Sequence, residues 1–256
     1  MSGRLAGRRA LVTGAGRGFG AAIALGLARE GADVVVHYNT SRSGAESVAE
    51  EITTAGRTAH VLQADLTSWE EIAAMAKEAF ERCGGVDLLV NNVGDVAPEQ
   101  QSWREIDEHV IDRVLEVDIK GTMLMTHEIG IRMLDAGGGA IVNVCSNVVV
   151  TGSARAPQYA ASKYGVLGLT KSYAAAFAPT VRVNALGPGY IETETTLQRE
   201  DWQSGRREWV LERTPLGRIP GPEELVGMVV FLGCADSAHM TGGFVLCDGG
   251  FSMIGA

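Results

Sequence analysis

The stretch Arg9-Ala10-Leu11-Val12-Thr13-Gly14-Ala15-Gly16-Arg17-Gly18-Phe19-Gly20 decides the fold. Arg9–Thr13 is a β-rich run too short for a helix, four glycines follow it, and helix-length apolar periodicity sets in at Phe19. Outward from this strand, turn and helix the same alternation continues. Asp33–Tyr38, Thr58–Gln63, Val86–Asn91, Ala140–Cys145, Val181–Leu186 and Phe244–Cys247 read as strands. Phe19–Glu30, Ala45–Ala55, Trp69–Arg82, Ile106–Leu134, Gln158–Ala178 and Glu223–Cys234 read as helices. Val34-Val35-Val36 and Leu88-Leu89-Val90 show no polar alternation, which implies strands buried on both faces of a parallel sheet. The alternation alone fits an α/β barrel or a doubly wound sheet. The glycine loop directly after the first strand selects the doubly wound α/β sheet.

The 256 residues carry a net charge of −9, 46% hydrophobic and 21% charged residues, the make-up of a globular protein with a full core. The acidic balance argues against nucleic acid and anionic membranes as partners, because a basic patch would work against the overall field. Cys83, Cys145, Cys234 and Cys247 lack metal or redox spacing and read as small buried hydrophobes, so no metal is expected. With neither a leader-like apolar region nor a run of ~18 apolar residues, a cytoplasmic protein is expected. Residues 1–256 read as a single dinucleotide-binding and catalytic domain. The long irregular stretch at about 190–222, with Trp202 and Trp209, reads as a substrate lid or as a surface excursion packed by its two tryptophans. Glycine is in excess, at 33 residues.

Part of that excess lies in the pattern T-G-x-x-x-G-x-G, in which Gly14, Gly16, Gly18 and Gly20 let backbone approach a pyrophosphate at a helix N-terminus. Phe19 stands where the third glycine of G-x-G-x-x-G would fall. A ribose-binding acid is missing from the end of the second strand, which reads His37-Tyr38-Asn39-Thr40-Ser41-Arg42, and Asp33 lies at the opposite end. Without a carboxylate to repel it, a 2′-phosphate would be met by Arg17, Asn39, Ser41 and Arg42, so NADP(H) is preferred over NAD(H). The alternative for Arg17 and Arg42 is that they are solvated loop charges. Asp65-Leu66 and Asn92-Val93-Gly94 follow the third and fourth strands, at the ligand edge of such a sheet. Asp65 would accept from an adenine amino group or cap the helix near Trp69.

Ser146 ends the fifth strand run, and Tyr159 and Lys163, four residues apart, share one helix face. After them comes Asn184-Ala185-Leu186-Gly187-Pro188-Gly189-Tyr190-Ile191-Glu192-Thr193. Glycine loop, Asn-Asn-x-Gly, Ser, Tyr-x3-Lys and this last segment, in that order, resemble the short-chain dehydrogenase/reductase family from Gly7 to Gly250. Within the family the chain looks most like members of the 3-oxoacyl-carrier-protein reductase and glucose dehydrogenase type. The resemblance implies a single-domain Rossmann-type doubly wound sheet of seven parallel strands with helices on both faces, and a homotetramer. It implies Tyr159 as acid/base, Lys163 as its activator and as a nicotinamide-ribose contact, and Ser146 as hydrogen-bond donor to the substrate oxygen. Pro188, Gly189, Ile191 and Thr193 would lie along the nicotinamide, with Thr193 on its carboxamide.

The chemistry agrees with those roles. A free tyrosine has a pKa of ~10, too high for proton exchange near neutrality, and a lysine ammonium beside an oxidised nicotinamide favours the phenolate. One position departs from the family pattern. In Val117-Asp118-Ile119-Lys120-Gly121, Asp118 stands where the family has a tetrad Asn that orders a proton-relaying water. An ionised carboxylate accepts hydrogen bonds and cannot donate. The substrate is expected among Asp95, Val96, Ser146, Asn147, Val148, Val149, Thr151, Tyr159, Tyr190 and the Trp202–Trp209 stretch, unless Val148–Val150 simply continue the core. The expected function is hydride transfer between NADP(H) and a small-molecule carbonyl or secondary alcohol. Imine reduction by the same site and a catalytically impaired dinucleotide-binding regulator are the alternatives. Helices 106–134 and 158–178 would pair between subunits or only cover the sheet.

Overall fold

A computed structural model describes residues 3–94 and 102–253. In chain order the elements are β1 (Arg9–Val12), α1 (Gly18–Arg29), β2 (Asp33–Tyr38), α2 (Arg42–Thr54), β3 (Ala59–Gln63), α3 (Trp69–Cys83), β4 (Leu88–Asn91) and α4 (Glu108–Val114). After a π-helical turn (Leu115–Lys120) come α5 (Gly121–Asp135), β5 (Gly139–Val144), α6 (Val148–Thr151), α7 (Pro157–Phe177) and β6 (Val181–Pro188). The chain closes with α8 (Glu194–Leu197), α9 (Arg207–Glu212), α10 (Pro222–Gly233) and β7 (Phe244–Cys247). The strands form one seven-stranded, all-parallel sheet in the order β3-β2-β1-β4-β5-β6-β7.

The apolar central strands are explained by two buried faces. Val12, in register with Val36 and Val90, points with Val142 toward α1 and α10, where Ile23, Leu27 and Val229 meet it. Leu11, Val35, Leu89 and Ile141, one residue out of phase, point to the other side, against Ile72 of α3, Met125 and Ile129 of α5 and Phe177 of α7. Asp33 sits at the N-terminal end of β2, where it accepts from Arg57 Nη2 and Thr58 N–H at 2.8 Å each.

The expected helix 106–134 is interrupted. Asp107 caps its start by accepting from Val110 N–H at 2.8 Å, and the π-helical turn then separates α4 from α5. A π-turn takes one residue more than an α-turn, so the side chains after it are rotated out of phase with those before it. The segment 190–222 is not irregular either, since it contains α8 and α9.

Candidate active site

Strand order reverses between β1 and β4, and the chains leaving their C-terminal ends diverge to open a crevice. Two clefts, of about 170 and 380 Å³, lie there, and Gly14, Arg17 and Val93 line both.

The smaller cleft is walled by Gly16, Arg17, Asn39, Ser41, Asp65 and Leu66. Ser41 occupies the cap position of α2, yet its hydroxyl accepts from no N–H of that helix. Arg42 is not on the wall; as the first residue of α2 it donates from Nε to Glu46 Oε1 at 2.8 Å, one turn along an exposed surface. Asp65 Oδ1 accepts from both Thr67 N–H and Thr67 Oγ1 at 2.8 Å, and these bonds, the backbone one foremost, hold its carboxyl below the usual range. The cap of α3 is Ser68, which accepts from Glu71 N–H at 3.3 Å, so Asp65 does not cap that helix.

A residue that the sequence reading passed over braces this cleft. The buried His37 ring accepts at Nδ1 from Gly14 N–H (3.1 Å) and donates from Nε2 to Ala64 O (3.0 Å), which fixes the neutral tautomer. Burial, opposed by the bond to Ala64, lowers its pKa to about 4. His37 is therefore an uncharged strut between the glycine loop and the end of β3. Its signal was a single histidine within an apolar strand.

The larger cleft gathers Gly18, Phe19, Gly20, Asn92, Gly94, Ser146, Asn147, Tyr159, Lys163, Pro188, Gly189, Tyr190, Ile191 and Thr193. No side chain caps the N-terminus of α1, so its first N–H groups keep their donor capacity. Gly20 has no room for a side chain: a Cβ there would lie 2.2 Å from Gly14 O and 2.6 Å from Asn92 Nδ2. Asn92 in turn donates from Nδ2 to Thr13 O at 3.0 Å and ties β4 to β1.

Ser146 leaves the end of β5, and its Oγ accepts from Val148 N–H at 3.3 Å. Tyr159 and Lys163 stand one turn apart on α7, with Nζ 5.4 Å from the centre of the Tyr159 ring. Lys163 Nζ lies 3.2 Å from Asp118 Oδ2, and the two side chains are 4% and 0% exposed. The π-turn carries Asp118, and Ser162 Oγ donates to the same Oδ2 at 2.7 Å. Asp118 is thus the counter-ion of Lys163. The ammonium also explains Gly94, where a Cβ would come within 2.6 Å of Nζ. Below the site a buried chain runs from Thr126 through Asn91 and Asn143 to Thr170 at 2.9–3.0 Å, locking the ends of β4 and β5 to α5 and α7.

Val148 does not line the cleft. It packs with Ala156, Tyr159 and Ala160, while Val149 meets Cys145 and Ala185 and Val150 is 52% exposed. Val148, on the single-turn helix α6, thus packs against Tyr159 and Ala160 of α7 and not on the wall of the cleft. Thr151 is also off the cleft, donating to Gly152 O at 2.8 Å. Asp95 and Val96 lie outside the described residues.

In the segment 190–222, Trp202, Val210 and Ile219 join Phe251 in a small separate core with Tyr190 and Trp209 around it. The Tyr190 ring lies 5.8 Å from Trp202 and 5.6 Å from Phe251, and its hydroxyl accepts from Arg206. Thr193 caps α8 by accepting from Thr196 N–H at 3.1 Å. Three charged residues without motif context meet beyond α8. Arg199, which lines the larger cleft, donates from Nε and Nη2 to Asp201 at 3.0 and 2.9 Å, and Arg155 Nη1 donates to Asp201 Oδ2 at 2.9 Å. Burial pushes the Asp201 carboxyl up, but the bonds and charge of Arg199, then those of Arg155, outweigh it and hold it below the usual carboxylate range. Among the described residues no cluster of His, Cys, Asp or Glu is placed to hold a metal ion, and no helix is long and apolar enough to cross a membrane.

Residues 8–204 match the short chain dehydrogenase family. The 3-oxoacyl-acyl-carrier-protein reductase FabG of Staphylococcus epidermidis is 35% identical over 247 residues, 96% of this chain and 99% of that protein. The cis-4-hydroxycyclohexanecarboxylate dehydrogenase of Sinomonas cyclohexanicum is 35% identical over 255 residues, 99% of this chain and all (100%) of that one. A gluconate 5-dehydrogenase from Burkholderia cenocepacia J2315, solved in complex with NADP and tartrate, superposes with a TM-score of 0.87 at 32% identity, covering 98% of this chain and 97% of that one. With strand order, glycine loop and the Ser146, Tyr159 and Lys163 cleft in place, the chain belongs to the short-chain dehydrogenase family, oxidoreductases that use a nicotinamide dinucleotide.

Proposed function

We propose that the protein transfers a hydride between NADP(H) and a carbonyl or secondary alcohol, with Tyr159 as the acid/base. The observation that carries this reading is that Ser146, Tyr159 and Lys163 share one cleft with the glycine loop, at the reversal of strand order. The residues fit a dinucleotide. Gly20 has no space for a Cβ, the α1 N–H groups are uncapped, and Asn39 and Ser41 stand after β2 in place of a carboxylate. FabG, the hydroxycyclohexanecarboxylate dehydrogenase and the NADP-bound gluconate 5-dehydrogenase are consistent with oxo and hydroxy substrates.

When bound, the cofactor supplies or accepts the hydride at its nicotinamide. The uncapped N–H groups at the start of α1, Gly18–Gly20, would hold its pyrophosphate, Arg17, Asn39 and Ser41 its 2′-phosphate, Asp65 and Leu66 its adenine end, and Pro188, Gly189, Ile191 and Thr193 its nicotinamide. Tyr159 gives its phenolic proton to the substrate oxygen in reduction and recovers it in oxidation, while Ser146 Oγ donates to that oxygen. Lys163 stabilises the phenolate and holds the nicotinamide ribose. Asp118 and Ser162 keep Lys163 in place, taking a position at which the family has an amide. The reading includes a single domain with 190–222 as lid and a cytoplasmic homotetramer, for which exposed Leu115, Met123 and Tyr164 supply apolar contact surface.

The experiment is loss of reduced-nicotinamide absorbance with NADPH and NADH over ketones, ketoacyl thioesters, quinones and imines. Turnover is expected with NADPH in excess of NADH, and Tyr159→Phe is expected to lose about a thousandfold in kcat while still binding NADPH. Near-normal turnover by that variant would overturn the mechanism. Asp118 favours a second reading, since it neutralises the lysine that serves Tyr159: cofactor binding without turnover on any substrate would identify a regulator, and activity appearing in Asp118→Asn would trace the impairment to this carboxylate.

A further inference from the structure

We propose that Arg199 receives an anionic group of the substrate, a carboxylate, at the lid side of the larger cleft; the inference rests on the reading of that cleft as the site of carbonyl and alcohol chemistry. In a protein of net charge −9, the described lining of this cleft contains Arg17, Lys163 and Arg199 and no Asp or Glu. Arg17 belongs to the glycine loop, where dinucleotide phosphates bind, and Lys163 is neutralised by Asp118 at 3.2 Å. That leaves Arg199 as the cation without an assigned role.

Arg199 is held ready. Its side chain is 9% exposed, and Asp201 takes the Nε and Nη2 edge of the guanidinium at 3.0 and 2.9 Å. Nη1 has no partner among the described residues. Asp201 also accepts from Arg155 Nη1 at 2.9 Å, so it is not reserved to Arg199. A nearly buried guanidinium with donors to spare, beside a cleft lined by the polar Thr195 and Thr196, fits a carboxylate. The placement favours substrate over cofactor phosphate. The start of α8 lies at the glycine loop, since a Cβ at Gly18 would be 3.8 Å from Thr193. Arg199 follows the far end of α8, bound through Asp201 to Arg155, just upstream of Tyr159.

The test compares 4-hydroxycyclohexanecarboxylate and other hydroxy acids with their methyl esters, in wild type, Arg199→Met and Arg199→Lys. Wild type is expected to favour the acid in kcat/KM by about tenfold or more, the scale of a charge-assisted hydrogen bond. Arg199→Met is expected to abolish that ratio, chiefly through KM, and Arg199→Lys to restore part of it. Equal losses on acid and ester, or a matching loss of NADP⁺ affinity, would overturn the assignment, the latter giving Arg199 to the dinucleotide. Should wild type turn over neither acid nor ester, the proposed chemistry fails on these substrates. Calorimetric titration of NADP⁺-loaded protein with cyclohexanecarboxylate and cyclohexanecarboxamide then decides separately. Carboxylate binding weakened about tenfold in Arg199→Met sustains the proposal, and equal or absent binding of the two probes overturns it.

Discussion

Asp118 and Asp201 each hold a cation at the larger cleft, and they do so in opposite surroundings. The side chains of Asp118 and Lys163 are 0% and 4% exposed, carried by the π-turn and by α7, which pack against each other. Asp201 is 21% exposed, shared between Arg155 and Arg199, in a segment with its own small core. Removal from water makes the first pair mutually dependent, because either charge alone would be stranded. In the second, Asp201 and Arg155 are 21% and 34% exposed, so solvent can replace part of a lost contact. The Lys163 side of the cleft is thus closed to water, while the 190–222 side leaves its ion cluster partly open to it.

The comparison breaks most readily at Asp118. Asp118→Leu leaves the Lys163 ammonium buried and unpaired, and is expected to lower unfolding free energy by about 3–5 kcal/mol in urea denaturation. Removing both charges, in Asp118→Leu with Lys163→Met, is expected to recover much of that loss. A cost below about 1 kcal/mol for the single variant would show that Lys163 reaches water, and the contrast with Asp201 would collapse.

His37 sharpens the same side, since it too is a polar group stripped of water. Its native pKa of about 4 lies below the ordinary 6.5, so the unfolded chain binds the extra proton between these values. The stabilisation is fully present above pH 6.5 and is lost as pH falls from there through 4, the loss amounting to about 2 kcal/mol at pH 5. His37→Gln is expected to flatten this part of the stability profile, measured by urea midpoints from pH 5 to 7.5. An unchanged slope would assign the acid sensitivity to other groups. The smallest effect is expected at Asp201→Asn, at most about 1 kcal/mol in the same assay. A loss equal to that of Asp118→Leu would make the Asp201 cluster as integral as the Asp118–Lys163 pair.

What was legible in the sequence divides along the same line. β1, the glycine loop and α1 were readable because each depends on local chemistry, a short apolar run, a turn only glycines fit and a periodic helix. Tyr159 and Lys163 were readable because one helical turn brings them to a common face. The π-turn was hidden, since Leu115–Lys120 has the composition of any amphipathic helix and only packing places Asp118 against Lys163. Val148 stayed ambiguous because an apolar residue beside Ser146 reads equally as cleft wall or as support. In 190–222, α9 escaped notice because its apolar side is completed by Phe251, distant in sequence. Arg199 and His37 carried no motif, and their roles depend on partners brought together by the fold.

The π-turn has a further consequence for how this chain tolerates change in length. A helix with one surplus residue can lose it and close its ladder with ordinary α-helical bonds, so a deletion within 115–120 would leave α4 and α5 as one regular rod. The flanking surfaces would then be turned against each other by about 100°, the angle of a single residue. Either Asp118 would leave Lys163 or Met125 and Ile129 would leave the core. Here a deletion that improves local helical regularity would undo the site, so in this helix indels are more informative than substitutions.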